Sequence, residues 1–573
     1  MAQGQVHKSP FQLEIPNVDL ATFIFSSGTP DSRSQPQYFD AENPALNFSL
    51  DQAERLVKRW AKGLQDLGLR TNDKVLLYSG NSLYFPIVFW GVVASGCVFT
   101  GCSPSSSVEE LAYQLADSES RLLVAGPGYL DKALMAADRV GLPRTNVLVF
   151  TDIQDAGRYP LRSWTDVWAS EEQAQSWEWR TFSSREEAQS ASAAINYSSG
   201  TTGLPKGAEI SHYNIISNSA QVAFKRNMVA ETKAGRDRKQ RLRMSGERWL
   251  APLPMFHAYG QAYYCTTAAV TGCKVFIMPK YDIQKYLLFL DIYRITFLTG
   301  VPTLLVSLAK HPRAASFNLK AIESVLSGSA PLSPEIGSLV QRVYLRPDVQ
   351  VKQGWGLTET TCSATGFAPD DTDDGRSIGW LNPNMMAKIV PVDEYEFTDA
   401  ANMPYTVGEI WISGPNIMKG YYRRPQETSS AIVTEGNNRW FCSGDIGYVD
   451  SRGCFYIIDR LKELIKVKGL QVAPAEIEQT LLTHERIVDA AVVGEKRHDG
   501  EYPKAFVVKA PGQALTEKEV QEYIQARMSR HKWLTAGVVF LAEIPKTASG
   551  KVKRRLLTKH ASEHTPGIVS SKL

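Results

Sequence analysis

Short apolar runs alternate with amphipathic stretches between about residues 50 and 390. The runs include KVLLYSG, RLLVAG, NVLVF and KVFIM, which are rich in β-branched residues. In the stretch LDQAERLVKRWAKGLQDLG, apolar residues recur at steps of three and four, and this spacing predicts one helix face formed by Ala53, Leu56, Val57, Trp60 and Leu64. Strands that alternate with helices in this way predict parallel sheets with covering helices.

The pattern changes between about residues 385 and 449. Segments such as GEIWISGPNIMKGYY, RWFCSGDIGYVD and GCFYIIDR alternate apolar and polar positions between turns, which predicts antiparallel strands in a small barrel or sheet. After Arg460 the chain contains a helix-like APAEIEQTLL, two strand-like runs, DAAVVGEK and KAFVVKA, and a helix from Thr516. These segments predict a compact α+β unit of roughly a hundred residues.

A chain of 573 residues is too long for one hydrophobic core. The sequence predicts the α/β class, with a large N-terminal domain over residues 1–459 that contains two parallel-type sheet subdomains covered by helices and a small β-barrel. A small α+β C-terminal domain is expected over residues 460–565, followed by a flexible tail over residues 566–573.

An uncharged stretch over residues 75–108 is compatible with a transmembrane helix or with a buried part of the α/β core. A spanning helix needs about 20 predominantly apolar residues, but Pro86, Gly91 and Gly96 interrupt this stretch. We therefore expect a strand, a buried helix from about Asn81 and a second strand at CVFT, with no transmembrane segment.

The charges of the chain are balanced. Lys plus Arg number 63 and Asp plus Glu number 60, which leaves a net charge of +3 and no global field that would attract nucleic acid. The seven cysteines include no CxxC pair and no Cys/His cluster, which argues against a disulfide framework and structural zinc. The start, MAQGQVHKSPFQLEIP, lacks a secretory leader, so we expect no export.

Residues 225–248, KRNMVAETKAGRDRKQRLRMSGER, carry many basic and few apolar side chains. We expect a solvated, mobile loop here. An RNA-binding or membrane-binding patch is less favoured because no aromatic residues interleave the charges.

The last three residues, Ser571, Lys572 and Leu573, form the peroxisomal targeting signal SKL. The preceding ASEHTPGIVS is polar and small, which would leave the signal accessible to a receptor. The tail therefore predicts location in the peroxisome matrix, with the peroxisomal import receptor as a partner.

The stretch SSGTTGLPKG has the composition of a phosphate-binding loop. Glycine lets backbone N–H groups converge on phosphate oxygens, hydroxyls add donors, and Lys206 adds a positive charge. The Walker pattern GxxxxGK[ST] needs glycine where Pro205 stands and Ser or Thr where Gly207 stands. This stretch is therefore not a Walker loop.

The longer string YSSGTTGLPKG closely resembles the signature loop of adenylate-forming enzymes, the superfamily of acyl:CoA ligases, beetle luciferases and peptide-synthetase adenylation domains. PMFHAYG, SGSAPL, QGWGLTET, SGDIGYVD with IIDRLKELIKVKGLQVAPAEIE, and PKTASGKVKRR resemble further motifs in the order of the family. The resemblance runs from about residue 50 to residue 555, and coumarate:CoA ligase-like enzymes are the nearest relatives that it suggests.

This resemblance implies an AMP-forming acid:CoA ligase that uses ATP, CoA and Mg²⁺. A medium-chain, long-chain or aryl carboxylate would attack the α-phosphate of ATP and expel pyrophosphate, and the CoA thiolate would then displace AMP. Because the first step joins two anions, cations are needed around the phosphates. A luciferase-like oxidase, a stand-alone adenylation enzyme that loads a carrier protein, and a non-catalytic nucleotide-binding scaffold are the alternatives.

By the same resemblance, Lys551 would bridge the carboxylate and the α-phosphate, Lys206 would stabilise the departing pyrophosphate, and His257 would lie beside the acyl carboxylate. Glu359 would hold Mg²⁺, and Lys462 would be the hinge of a mobile C-terminal domain. The residues expected around ATP and AMP are Ser198, Ser199, Gly200, Thr201, Thr202, Gly203, Gln353, Gly354, Trp355, Thr358, Asp445, Arg460 and Lys462.

Within this nucleotide site, the resemblance implies that Trp355 lies against adenine and that Asp445 accepts both ribose hydroxyls. Arg460 would reach the ribose or a phosphate. The residues expected to contact CoA after a domain rotation are Lys466, Lys468, Gly469 and Gln471.

The acyl pocket is expected to be lined by His257, Tyr259, Gly260, Ser327, Gly328, Ser329, Ala330, Gly354, Gly356 and Thr361. Acetate-specific relatives place tryptophan at the position of Gly356, so glycine implies room for a longer aliphatic or aryl acid. Shape and apolar lining would set discrimination, which does not identify the acid.

Overall fold

The computed structural model describes residues 5–155, 157–198, 204–392, 405–467, 470–497, 500–547 and 550–563. Strands and helices are numbered along the chain. The α/β class predicted from the sequence is confirmed, with parallel-type sheets in a large N-terminal part and a smaller C-terminal unit.

Two seven-stranded sheets form the centre of the large part within the described ranges. The first has the spatial order β19 (Gly420–Tyr421), β9 (Lys206–Ser211), β8 (Ser192–Ser198), β5 (Val98–Cys102), β4 (Lys74–Tyr78), β6 (Ser120–Ala125) and β7 (Val147–Val149). The second has the order β14 (Val351–Gln353), β13 (Ser324–Ser327), β12 (Phe297–Gly300), β10 (Arg248–Ala251), β11 (Lys274–Ile277), β2 (Pro36–Asp40) and β3 (Asn47–Ser49). Apart from β9, β19 and β3, the pairings are parallel.

A third sheet is antiparallel, as the turn-punctuated pattern predicts. It contains β1 (Val6–Lys8), β17 (Met386–Val390), β18 (Gly408–Ser413), β21 (Asn438–Val449), β20 (Ile432–Glu435) and β22 (Phe455–Arg460), with β22 paired to β21. A short ribbon joins β15 (Thr365–Gly366) to β16 (Trp380–Leu381).

The C-terminal unit has its own hydrophobic core, which includes Ile465, Ile477, Val492, Val507 and Ile524. Its strands are β23 (Ile465–Val467), β24 (Leu470–Val472), β25 (Ile487–Arg497), β26 (Gly500–Lys509) and β27 (Val538–Phe540). The predicted α+β arrangement is therefore present in this unit.

Helices pack around the sheets of the large part, and the last three helices of the chain belong to the C-terminal unit. The helices are α1 (Leu20–Phe25), α2 (Pro30–Ser34), α3 (Leu50–Asp66), α4 (Phe85–Ala94), α5 (Val108–Ser118), α6 (Leu130–Val140), α7 (Glu171–Gln175), α8 (Arg185–Ser190), α9 (His212–Asn227), α10 (Lys233–Ser245), α11 (Ala258–Gly260), α12 (Ala268–Thr271), α13 (Ile283–Ile292), α14 (Pro302–Lys310), α15 (Pro334–Tyr344), α16 (Pro425–Ala431), α17 (Pro474–Leu482), α18 (Glu517–Gln525) and α19 (Arg554–Glu563). A π-helical segment, Gln261–Thr267, separates α11 from α12.

Helix α3 shows why the periodicity was informative. Ser49 caps the helix by accepting from the Gln52 N–H, and the Gln52 side chain accepts from the Ser49 N–H. Of the predicted face, Ala53, Val57, Trp60 and Leu64 are fully buried and Leu56 is half-buried.

The uncharged stretch over residues 75–108 forms β4, α4 and β5, which confirms a buried strand, helix and strand. Every residue of α4 is buried, because the helix lies in the core. In the described part of the chain, no helix combines the length and apolarity that a membrane crossing needs.

The expectation of a mobile loop over residues 225–248 is wrong. The described chain forms the end of α9 and then helix α10, which begins after Thr232, whose hydroxyl accepts from the Gly235 N–H at 3.1 Å. Helix α10 is held by the bidentate pair of Arg238 with Asp370, at 2.7 Å and 3.0 Å. No local pattern predicts this pair, because its members are 132 residues apart.

Candidate active site

The predicted motifs meet at one edge of the second sheet. Strands β10, β12, β13 and β14 run parallel, and the segments that follow their carboxyl ends contain His257, Val301, Ser329 and Trp355. In open α/β sheets, ligands bind in the crevice outside the carboxyl ends of the strands. The sheet therefore places three separate motifs around one crevice.

The ends of the phosphate loop are fixed by two neighbouring strands. β8 ends at Ser198 and β9 begins at Lys206, and these residues are cross-strand partners in an antiparallel pair. The Tyr113 hydroxyl donates to the Pro205 carbonyl at 2.8 Å. Since Lys206 opens a strand, the loop differs from a Walker loop, which leads into a helix. The predicted phosphate-loop residues outside the described ranges are Ser199, Gly200, Thr201, Thr202 and Gly203.

A cation, a phenol and a carboxylate form a row beside this hairpin. The Lys206 ammonium lies 5.0 Å from the centre of the Tyr421 ring. The Tyr421 hydroxyl donates to Glu359 Oε1 at 2.9 Å. Burial and the negative charge of Glu359 raise the pKa of Tyr421. The phenol consequently stays protonated and keeps donating to the carboxylate.

Trp355, Asp445 and Arg460 form a second hydrogen-bonded group. Asp445 on β21 and Arg460 on β22 are cross-strand partners. The Trp355 indole N–H donates to Asp445 Oδ2 at 2.7 Å, and Arg460 Nε donates to Oδ1 at 2.9 Å. An ionised carboxylate has about four acceptor positions, so the two oxygens retain capacity for two further donors.

Lys551 is the group that the C-terminal unit contributes to this site. Burial lowers the pKa of Lys551, the positive charge of Arg460 lowers it further, and the negative charges of Glu359 and Asp445 raise it. The Lys551 ammonium therefore lies within electrostatic reach of both hydrogen-bonded groups. The structure brings together Lys551, Glu359, Asp445 and Arg460 from motifs that are far apart in sequence.

The turn that carries Lys551 rests on the large part of the molecule. Gly550 has a φ of +85°, and a Cβ at this position would lie 3.3 Å from Val301 Cγ2 and 3.5 Å from Thr303 Oγ1. The Lys551 N–H donates to Thr547 Oγ1 at 3.1 Å, which closes the turn. Glycine is favoured here because its left-handed φ suits few other residues.

His257 is an uncharged imidazole in this site. Its Nδ1 accepts from the Tyr259 N–H at 3.3 Å, which puts the ring proton on Nε2. Burial lowers the pKa of His257 to about 3, and the positive charge of Lys551 acts in the same direction. At neutral pH the ring is thus able to donate a hydrogen bond through Nε2.

Aromatic rings form one wall of the predicted acyl pocket. Tyr259 and Tyr263 meet edge to face with ring centres 5.0 Å apart. A Cβ at Gly328 would lie 3.2 Å from the Tyr259 ring, so glycine lets the ring approach. The buried hydroxyls of Tyr259 and Ser327 have no hydrogen-bond partner in the described part of the chain. Buried hydroxyls normally have a hydrogen-bond partner. We therefore interpret these two hydroxyls as groups that a substrate could bind.

A cavity of about 40 Å³ lies beyond this wall, lined in part by Tyr263, Phe297 and Leu326. Lys225 and Lys352 also line it, and the ammonium of each donates to two backbone carbonyls. These hydrogen bonds use the donors of both lysines, and the third basic side chain of the lining, Arg226, pairs with Glu247. The lining is therefore a mixture of apolar residues, neutral polar residues and basic groups that already have partners.

Two predicted wall residues are glycines for a different reason. A Cβ at Gly356 would lie 1.6 Å from the Cys362 carbonyl oxygen, and a Cβ at Gly260 would lie 2.2 Å from the Pro254 carbonyl oxygen. Both glycines allow close backbone approach. The idea that Gly356 opens pocket space is therefore corrected, because the chain at Cys362 fills that direction. Gly354 is closer to the expectation, since its Cβ would lie 3.1 Å from Leu326 Cδ1.

Two polar side chains of the predicted site bind backbone. Gln353 Oε1 accepts from the Leu332 N–H, and its Nε2 donates to the Gly375 carbonyl, each at 2.7 Å. The Thr361 hydroxyl donates to the Asn416 carbonyl at 2.7 Å. These side chains hold the loops that form the site, which the sequence did not distinguish from substrate contacts. Thr358 is buried in the turn after Trp355, and Ala330 is exposed at the rim.

The segment predicted to bind CoA lies in the C-terminal unit. Lys466 is exposed on β23, and its backbone N–H donates to Glu501 Oε2 at 3.1 Å. Lys468, Gly469 and the side chain of Gln471 lie outside what the structure describes, as does the targeting signal of Ser571, Lys572 and Leu573. Lys462, the predicted hinge, is exposed in the turn between β22 and β23.

Tyr421 is the functional candidate that the sequence analysis missed. It belongs to the GYY of a turn-rich segment with no recognisable chemistry. Only the pairing of β19 with β9 brings its ring to Lys206 and its hydroxyl to Glu359. A pairing between strands about 210 residues apart leaves no local pattern.

The parallel-type sheets, the antiparallel sheet and a small unit whose lysine reaches the crevice define the adenylate-forming class of enzymes. Residues 36–422 match the model of the AMP-binding enzyme family, and residues 476–551 match its C-terminal domain. The chain belongs to this family, and it is an acid–thiol ligase of the AMP-forming acyl-CoA synthetase type.

Relatives cover almost the whole chain. It is 33% identical to a phenylacetyl-CoA ligase of Aspergillus niger over 96% of this chain and 98% of the relative. It is also 33% identical to the peroxisomal OPC-8:0-CoA ligase 1 of Arabidopsis thaliana, over 96% and 94%. Among solved structures, ATP-bound MatB from Rhodopseudomonas palustris has a TM-score of 0.77 at 25% identity, covering 95% of this chain and 98% of that one.

The hydrogen bond from Tyr421 to Glu359, the carboxylate expected to hold Mg²⁺, predicts that Tyr421 affects the adenylation rate. Tyr421→Phe should slow acid-dependent pyrophosphate release roughly tenfold, because Glu359 loses a buried donor. The rate should be measured against Mg²⁺ concentration, with half-saturation moving upward. Tyr422→Phe is the matched control, since the Tyr422 hydroxyl donates at 2.8 Å to the exposed Glu119. Equal rates for the two variants would contradict a role for Tyr421.

Proposed function

We propose that this acyl-CoA ligase activates a carboxylic acid with an uncharged tail, either aryl or medium- to long-chain aliphatic. Lys551 is the lysine that acts in the adenylation step. The observation that carries the proposal is that the turn with Lys551 rests on Val301 and Thr303, which leaves the ammonium within electrostatic reach of the site that contains Glu359, Asp445 and Arg460. A cation held there can offset the charge of a carboxylate that approaches an α-phosphate. Pyrophosphate leaves, and CoA thiolate attack on the acyl adenylate then releases AMP.

The nucleotide is assigned to the two hydrogen-bonded groups. Asp445 would accept the ribose hydroxyls with the lone pairs that Trp355 and Arg460 leave, and the Trp355 ring would cover adenine. Lys206 at the end of the phosphate loop would face the departing pyrophosphate. His257 would donate from Nε2 to the acyl carboxylate and hold it in line for attack.

We assign Mg²⁺ to Glu359. Mg²⁺ is usually held by one or two carboxylates together with substrate phosphates, so a single carboxylate fits it. The described residues contain no group of three or more His, Cys, Asp or Glu side chains arranged as a metal site, which agrees with a metal held jointly with the nucleotide. When bound, the ion would supply positive charge to the phosphates.

The acyl chain is assigned to the space beside Tyr259 and towards the cavity at Leu326. The lining supports an uncharged tail, because Lys225 and Lys352 already donate to backbone carbonyls and Arg226 pairs with Glu247. The Tyr259 and Ser327 hydroxyls would serve a polar group near the carboxyl end or an ordered water. The relative named as a phenylacetyl-CoA ligase supports testing aryl acids first.

Lys551→Ala separates the two half-reactions. The variant should lose acid-dependent pyrophosphate release roughly 100-fold or more, and it should form thioester from supplied acyl adenylate within about threefold of the unaltered rate. The assay uses hexanoic, octanoic, palmitic, phenylacetic and 4-coumaric acids, with CoA-dependent AMP formation and the thioester mass as readouts.

Lys553→Ala is the control for Lys551→Ala, since Lys553 is an exposed neighbour on the same segment. Equal loss of both half-reactions in Lys551→Ala would reject its assigned role. Absence of thioester from every acid would reject the substrate class.

The position of the cavity predicts which substitution lets the enzyme accept a longer acyl chain. Leu326→Ala joins the pocket to the cavity and should raise the ratio of kcat/KM for octanoate over hexanoate roughly tenfold. Leu298→Ala removes a buried leucine of β12 outside the cavity lining and should leave the ratio unchanged. An unchanged ratio in Leu326→Ala would place the acyl tail elsewhere.

We propose that the enzyme acts in the peroxisome matrix. The SKL sequence and a relative named as peroxisomal support this location. An N-terminal fluorescent fusion should co-localise with a peroxisomal marker, and removal of Ser571, Lys572 and Leu573 should disperse it. Ser570→Ala retains the signal and should stay peroxisomal. Marker overlap that survives the deletion would refute targeting by SKL.

A further inference from the structure

Helix α14 of the large part touches the C-terminal unit at both of its ends. At its start, Val301 and Thr303 support the turn at Gly550, which carries Lys551. At its end, the Lys310 ammonium donates to the Leu482 carbonyl at 3.2 Å and to the Ile487 carbonyl. Helix α14 is therefore a rigid strut of about 13 Å between two contacts.

The Lys310 contact suits the helix on which it acts. Leu482 is the last residue of α17, and C-terminal carbonyls lack partners within a helix and carry the negative end of its dipole. A lysine ammonium satisfies both needs. Lys310 is half-buried, so water competes less for this hydrogen bond than it would at the surface.

The opposite end of α17 also receives a hydrogen bond from the large part. The Asp459 carboxylate on β22 accepts from the Ala475 N–H, in the first turn of α17, at 3.1 Å. The N-cap residue, Ala473, has no side-chain acceptor of its own. Burial raises the pKa of Asp459 to about 7. Once Asp459 is ionised, its carboxylate at the start and the Lys310 ammonium at the end are the signs that a helix dipole prefers. Helix α17 is thus held at both ends by contacts with Asp459 and Lys310, and we call these two contacts the clamp.

The clamp is connected to the turn that carries Lys551. Ile487 begins β25, and Asp489 on the same strand holds the Lys546 ammonium at 2.7 Å and 2.6 Å. Lys546 and Val552 form a β-bridge, which closes the hairpin containing Lys551. A shift of β25 away from Lys310 would therefore also move this hairpin.

We propose that Lys310, together with Asp459, is a positioning residue that holds the C-terminal unit in the pose in which Lys551 reaches the adenylation site. The inference rests on the proposed function and concerns the same reaction. Both clamp contacts cross from the large part to the C-terminal unit, so a rotation about the turn at Lys462 has to break the one at Lys310. Lys310 therefore favours adenylation and contributes nothing to thioester formation.

Lys310→Met keeps the aliphatic stem and removes the three donors. Acid-dependent pyrophosphate release, measured with the fastest acid of the five-acid panel, should fall roughly tenfold, as expected for a lost charge-assisted hydrogen bond. Thioester formation from the corresponding acyl adenylate should be unchanged or faster. Lys310→Arg, which restores a cation and donors, should recover most of the first rate.

Lys320→Met is the matched control. The Lys320 ammonium donates to the Leu345 carbonyl at the end of α15 at 2.6 Å, so it makes the same type of contact wholly inside the large part. This variant should lose thermal stability without separating the half-reactions. Equal slowing of both half-reactions in Lys310→Met would overturn the positioning role, as would two unchanged rates.

A measurement without any acid distinguishes the clamp from the proposed function. Dyes on cysteines introduced at Lys239 and Lys518, both exposed, report the pose of the C-terminal unit by energy transfer in the presence of Mg²⁺ and ATP. In Lys310→Met, fewer molecules should show the energy-transfer efficiency of the unaltered protein. In Lys320→Met, this fraction should stay the same. An unchanged distribution of energy transfer in Lys310→Met would reject the clamp, whether or not any acid of the panel is a substrate. Failure of every panel acid to form a thioester would reject the proposed substrate class and leave the clamp untouched.

Discussion

The structure depends on placing one ammonium group, that of Lys551, in a desolvated position between two parts of the molecule. Removing a cation from water is costly unless opposite charges lie close by. Glu359 and Asp445 provide that compensation, and Arg460 opposes it. In the proposed function the C-terminal unit leaves the site between two reactions, and this mixture of attraction and repulsion around Lys551 would suit such a unit.

The same residues that bind the nucleotide in the proposed function also hold the fold at the junction. Asp445 and Arg460 are cross-strand partners, so their salt bridge closes the end of the β21–β22 pair. Arg460 is followed by the exposed turn at Lys462 and then by Glu463, which binds Arg554 Nε at 2.7 Å. Arg554 also binds Glu478 on α17, so the chain becomes rigid again within a few residues of the turn.

The sequence predicted those features that local pattern encodes. The periodicity of α3, the strand, helix and strand of residues 75–108 and the motifs around the crevice were all visible, because each lies within a short window. The helix at α10 was missed because its stability depends on Arg238 meeting a distant aspartate. Tyr421 and Lys310 were missed for the same reason, since their partners become neighbours only through sheet pairing and domain contact.

Gly356 shows that a residue that motif resemblance assigns to the substrate pocket can instead be required by backbone packing. The resemblance predicts that Gly356 leaves space for substrate, yet the Cys362 carbonyl occupies the direction of its missing Cβ. The resulting loop is strained, because Thr361, a β-branched residue, has a φ of +63°, and Ser329 on the facing loop has a φ of +77°. Hydrogen bonds from Thr361 to Asn416 and from Leu332 to Gln353 hold these loops against that strain. Loops fixed in this way present their backbone to a substrate without further ordering, which lowers the entropic cost of binding in the crevice.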